Sequence, residues 1–133
     1  MKRKAILLTC ATALFFIIMT VLSVSARDIH RARLPHVEAR RLTRESFSAG
    51  NESMTYRQTA IPKELYHSGD VHIITSRSVN GENRDFAQKV VVTVGLETEG
   101  FYEVLSGIFG HDYVIFYSDK PFNDGDEVYF PLP

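Results

Sequence analysis

Side chains able to move a proton or grip a metal are thinly spread along these 133 residues. The five histidines, His30, His36, His67, His72 and His111, have no paired spacing, and the single cysteine, Cys10, sits in an apolar run. Neither a zinc ligand set nor a thiol centre is expected from them. His67 with Asp70, and His111 with Asp112, have the residue types of acid–base pairs. No nucleophile and orienting group stand at a spacing that would complete either, so solvated loop residues are the better reading. Asp119, Asp124, Asp126 and Glu127 gather the hard oxygen ligands that calcium favours, but not at the spacing of an EF-hand loop. Pro121 and Asp124-Gly125 read instead as a turn, with proline presetting φ and glycine taking the bend. The expectation is no catalytic residue, no metal and no cofactor: a protein that binds rather than one that transforms a substrate.

The elements that would position any binding surface are strands. Val71-His72-Ile73-Ile74-Thr75 is a β-branched run, and Asn80-Gly81 is the strongest short-range hairpin signal, although the linker from Arg77 to Asp85 looks longer than a two-residue turn. Phe86 to Val94 places Val90, Val92 and Val94 on one face, ready for a core. Tyr102–Leu105, Tyr113–Tyr117 and Val128–Phe130 add further strands, separated by glycine-bearing turns. Pro35 starts an extended segment, Leu34 to Ala39, and Ser46 to Ser53 reads as a polar loop. Phe86, Phe116 and Phe130 are expected in the core, whereas Tyr66, Phe101, Tyr102 and Tyr113 are candidates for an exposed protein interface. No amphipathic helix of ten residues follows the N-terminal run. The fold class is therefore mainly β, a small twisted sheet curled into a roll or barrel behind an N-terminal helix.

Charge is asymmetric. Residues 1 to 44 hold nine Lys or Arg against two acids, and residues 45 to 133 hold six against fourteen, a net of −8 that disfavours nucleic acid as a partner. Lys2-Arg3-Lys4 precede twenty-two uncharged residues, Ala5 to Ala26, about 33 Å of helix and enough to cross a bilayer. Val24-Ser25-Ala26 has the small residues of a signal-peptidase site, but the run exceeds the usual core of a signal peptide, so a retained anchor is preferred. Cys10 follows too short an apolar segment for a lipobox. Arg27, Arg31, Arg33, Arg40, Arg41 and Arg44 come after the run and by the positive-inside rule favour a cytoplasmic C-terminus. They also suit a juxtamembrane stretch on anionic headgroups.

Several short motifs fall in an order that resembles the C-terminal part of periplasmic adaptor subunits, also called membrane fusion proteins, of efflux and secretion machines. They are Ala60-Ile61-Pro62-Lys63-Glu64-Leu65, Val92-Thr93-Val94, Tyr102-Glu103-Val104-Leu105-Ser106-Gly107 and the stretch from Ser118-Asp119-Lys120-Pro121 to Asp126. Arg31 to Val37 resembles the segment that follows an adaptor's anchor. The resemblance covers roughly residues 5 to 48 and 54 to 130, and the lipoyl-like domain, helical hairpin and β-barrel domain that lie between in an adaptor have no counterpart. No heptad pattern is present.

That resemblance implies three parts: an anchor or signal peptide at 1–26, a juxtamembrane segment with a first strand and polar loop at 27–53, and a membrane-proximal β domain at 54–133. In an adaptor the early and late strands belong to one domain, so removing the excursion leaves a closable unit, and shortening a loop lowers its closure entropy. The implied protein is a single-pass, non-enzymatic subunit of the inner membrane with its β domain outside the cytoplasm. Its implied partners are a transport permease, full-length adaptor subunits and membrane lipid. An exported, membrane-tethered sensor or ligand-binding module is the alternative, because a fold does not fix a function.

Overall fold

The computed structural model of the chain describes residues 2–50, 54–67 and 69–131. They form two units, divided after Leu34. The first is one α-helix, α1 (Lys2–Arg33), which contains an apolar window long enough to cross a membrane and buries none of its residues. At 1.5 Å per residue its 32 residues extend about 48 Å. Thr9, Thr12 and Thr20 each return their hydroxyl to the carbonyl four residues back, at 2.8 to 2.9 Å, so these polar side chains are satisfied within an apolar helix. The helix outruns the uncharged segment by seven residues, and it ends where Pro35 disfavours the α conformation at Leu34.

The second unit is mainly β. Its strands are β1 (Val37–Arg41), β2 (Arg44–Ser48), β3 (Thr55–Pro62), β4 (Asp70–Val79), β5 (Glu82–Val91), β6 (Thr93–Glu97), β7 (Phe101–Ser106), β8 (Tyr113–Ser118) and β9 (Glu127–Val128). They make a five-stranded sheet in the order β1-β8-β4-β5-β9 and a four-stranded sheet in the order β2-β3-β7-β6, with antiparallel pairing throughout. The β4–β5 hairpin pairs ten residues on each side, and its turn is only Asn80-Gly81, at φ 54° and 79°. Two consecutive left-handed residues match the twist of the flanking strands, so the expected longer linker is replaced by a two-residue turn. Residues 46–48, expected in a loop, instead extend β2 against β3, with Phe47 opposite Tyr56. The rest of that expected loop includes residues 51–53, which lie outside the described residues.

The five-stranded sheet closes on itself. His36 forms a parallel bridge with Tyr129, the Val37 amide donates to the Tyr129 carbonyl at 3.0 Å, and the Tyr129 amide donates to the Pro35 carbonyl at 2.8 Å. This seam joins the entrance of β1 to the chain just beyond β9 and completes a hydrogen-bonded circuit there. Inside lie Val37, Ala87, Val128 and Phe130, backed by Ala39, Ile74, Tyr113, Ile115 and Phe122. A second core, between the circuit and the four-stranded sheet, contains Leu42, Ile61, Val71, Val92, Val104, Ile108 and Val114. β4 shows the division: Val71 and Ile73 face the second core, while Ile74 faces the first, as strand alternation requires.

Two positions turn the chain from one sheet into the other. Leu42 sits between β1 and β2, and Val92 between β5 and β6, and each buries its side chain in the second core. Strands that change sheet at a bend are how crossed sheets make their corners. A bulge shapes β8: Glu38 opposes Tyr117 and Ala39 opposes Ile115, which leaves Phe116 as the extra residue. Phe116, expected in the core, is accordingly 40% exposed.

Candidate functional site

A cleft of about 670 Å³ opens at the Leu42 corner. Its walls come from the end of β1, the start of β2, the Pro62-Lys63-Glu64 exit of β3 and the Gly100-Phe101 turn. The backbone fixes these walls: the Ala60 amide donates to Thr43 at 3.0 Å and the Lys63 amide donates to Gly100 at 3.1 Å. Pro62 provides no amide there and leads into a single 3-10 turn, Lys63–Leu65.

Charges of both signs line the cleft. Arg40 approaches Glu64 at 3.5 Å, and Lys63 pairs with Glu97. Glu45 accepts a hydrogen bond from the Thr43 hydroxyl at 3.3 Å. Each cation is also seated on a ring: Arg40 on Phe116 at 5.0 Å, Arg41 on Tyr113 at 4.8 Å and Lys63 on Tyr102 at 5.4 Å. Such contacts stabilise by about 0.5–1 kcal/mol at exposed sites and narrow the range of each head group. An arrangement of oriented guanidinium groups, an ammonium and carboxylates can recognise charge; the hydroxyl among the lining side chains, that of Thr43, is held by Glu45.

The chain gives no match to protein-family models, to curated proteins or to solved structures.

The residues singled out from sequence are dispersed. His67 is exposed, while Asp70 pairs with Lys89, whose ammonium holds the Asp70 carboxyl below its ordinary range. His111 approaches Asp112 at 3.6 Å and stacks on Phe109. Asp112 accepts the Phe109 amide at 2.8 Å, which closes a turn rather than arming a histidine. His36 meets Asp119 and the edge of Tyr129; His72 meets the edge of Phe122. The four acids of the C-terminal stretch are each taken by a different partner. Asp119 accepts the His36 amide at 2.7 Å, Asp124 the Lys89 amide at 2.7 Å and Asp126 the Asn123 amide at 2.7 Å, while Glu127 lies 3.4 Å from Arg84. Among the described residues no three metal-ligating side chains gather into a metal-sized group.

The aromatic candidates for an interface require correction. Tyr66 and Tyr102 pack against the second core and Tyr113 against the first, all partly buried, because strand or turn geometry directs them inward. Phe101 is partly buried in the cleft wall. Phe109 and Tyr117 are the more exposed rings, at 66% and 56%.

Sequence reasoning had Arg40 and Arg41 only as members of a basic stretch and had no reason to single out Glu45. Glu103 was also missed. It is a buried carboxylate on the face of β7 opposite Val104, and it accepts the Tyr56 hydroxyl at 2.8 Å and the Leu96 amide at 3.0 Å. The hydrogen bond to Glu103 raises the Tyr56 phenol above its ordinary value. Tyr56 and Ala60 share one face of β3, Ala60 being paired with Glu103, and the only sequence signal was an acid inside an otherwise apolar strand.

Proposed function

We propose that this chain is a membrane-anchored, non-enzymatic subunit similar to a shortened periplasmic adaptor, associated with an efflux or secretion permease or with full-length adaptor subunits. In this reading α1 lies in the inner membrane and the β unit lies outside the cytoplasm. The observation that carries the proposal is the placement of β1. The strand that follows the helix is inserted beside β8 in the sheet of the late strands, which is the reunion expected if an adaptor's outward arm is removed. The exposed apolar surface of α1 supports the anchor.

Copurification tests the proposal. A tagged full-length chain, extracted in mild detergent, is expected to bring down an integral membrane permease, and removal of residues 54 to 133 with the anchor retained is expected to abolish that association. A preparation that carries no permease, or carries it equally after the removal, contradicts the proposal. The charged cleft favours a second reading, a tethered sensor or ligand-binding module. A soluble charged ligand that raises the thermal midpoint of the full chain, without any associated permease, would select it.

A further inference from the structure

The outer edge of β1 is bonded at its two ends and open between them. At one end the Val37 amide donates to the Tyr129 carbonyl at 3.0 Å, and at the other the Thr43 carbonyl accepts the Ala60 amide at 3.0 Å. Backbone groups alternate between the two sides of a strand, so Ala39 and Arg41 direct their N–H and C=O to this same side, away from β8. Past the His36–Tyr129 bridge no strand among the described residues lies opposite them, because β1 ends its sheet. Arg41 is exposed and Ala39 only partly buried, so water satisfies these groups in the free chain. Donors and acceptors in a row on an open edge are a template for one more strand.

Side chains say which strand fits. Ala39 and Arg41 share a face, on which Arg41 lies over Tyr113, and Arg40 points to the other face, over Phe116. The two guanidinium groups therefore do not converge. Consecutive residues of an added strand also face opposite ways, and directly opposed residues of two strands share a face. Two consecutive carboxylates on that strand would each meet one guanidinium. Arg41 has no carboxylate partner among the described residues. Arg40 and Glu64 stand 3.5 Å apart with both side chains more than half exposed, a contact that contributes little and is readily exchanged. A second copy of β1 is a poor occupant, since pairing would bring Arg40 and Arg41 of both copies together and like charges across a strand pair destabilise it. The edge also runs into the cleft, where Pro62 and Phe101 offer apolar surface to a neighbouring side chain.

We infer that the open edge of β1 takes an extended segment of a partner protein as an added strand, its main chain bonded to Ala39 and Arg41 and two consecutive acidic residues set against Arg41 and Arg40. The inference goes beyond the adaptor proposal and does not rest on it: it needs neither a permease nor a membrane.

The test uses the full-length protein in detergent micelles and a labelled, terminally blocked peptide, Val-Thr-Val-Glu-Glu-Val-Thr-Val, with binding read by fluorescence anisotropy. The peptide is expected to bind, and its Lys-Lys counterpart to bind about fivefold more weakly or less. Arg41→Gln is expected to weaken binding of the acidic peptide about three- to fivefold, the size of one solvent-accessible charge pair. Amide hydrogen exchange locates the added strand. The Ala39 and Arg41 amides are expected to exchange fast in the free protein and to slow with peptide bound, whereas the Arg40 amide, which faces β8, is slow in both. Equal binding of the two peptides, binding indifferent to Arg41→Gln, or binding that leaves Ala39 and Arg41 exchange unchanged would each overturn the inference. Slow exchange at both amides before peptide is added would also overturn it, and light scattering would then show whether a second copy holds the edge. If Arg41→Gln loses its β circular dichroism, Arg40→Gln carries the same expectation. Permease copurification on the same variants distinguishes failure here from failure of the adaptor proposal.

Discussion

Asp119 ties the strand entrance to the end of β8. Its carboxylate accepts the His36 amide at 2.7 Å and lies 3.3 Å from the His36 ring, while its own amide donates to the His36 carbonyl at 3.1 Å. The first of these hydrogen bonds is the main reason its carboxyl is held below the ordinary 3.8. A depressed folded-state value means that the contribution is present above the unfolded value and is lost as pH falls through the folded one. Urea unfolding of the full chain should therefore weaken on acidification below the carboxylate range, and Asp119→Asn should show a smaller acid loss. An identical acid limb in the variant would contradict this role. The sequence made the C-terminal acids legible as turn residues but not their partners, because Asp119 reaches His36 and Asp124 reaches Lys89 across 83 and 35 positions. Local spacing carries no information about a hydrogen bond made at that separation.

Strands were readable where their side chains alternate or branch, and corners were not. Val90, Val92 and Val94 were expected on one face, and Val92 and Val94 do reach the same core, although the strand breaks between them and changes sheet. Residues 46–48 read as the start of a polar loop because of Ser46 and Ser48, whereas Phe47, 1% exposed, fixes their pairing in β2. Gly107 explains how β7 can lie against the Val92 corner. It has φ 103°, and an added Cβ would stand 2.2 Å from the Val91 carbonyl oxygen and 3.1 Å from the Val92 Cα. Both obstacles are backbone, so neither can rotate away. Gly107→Ala is expected to destabilise the β unit by about 3 kcal/mol or more, combining conformational strain with overpacking. Chemical denaturation with an unchanged midpoint would show that the corner is less constrained than its geometry indicates. Glycine before a turn was visible in the sequence, but the carbonyl it must clear belongs to a distant strand.

At the level of the complete chain, mainly β architecture behind an apolar helix follows from two periodicities, a twenty-two-residue uncharged run and repeated short strand patterns. The closure of the circuit does not follow from either. It depends on Pro35, His36 and Val37 meeting Tyr129, contacts that span nearly the whole β unit and are fixed by the shared core of Val37, Val128 and Phe130. This reunion underlies both functional proposals: it makes a short chain a closed unit and stations β1, with the cleft at its far end, in a defined frame. Amide hydrogen exchange on the full-length protein, resolved at Val37 and Tyr129, tests it most directly. Both amides are expected to exchange as slowly as the β4–β5 ladder, since each donates across the seam. Exchange at both positions as fast as in an open loop, while that ladder stays protected, would contradict it.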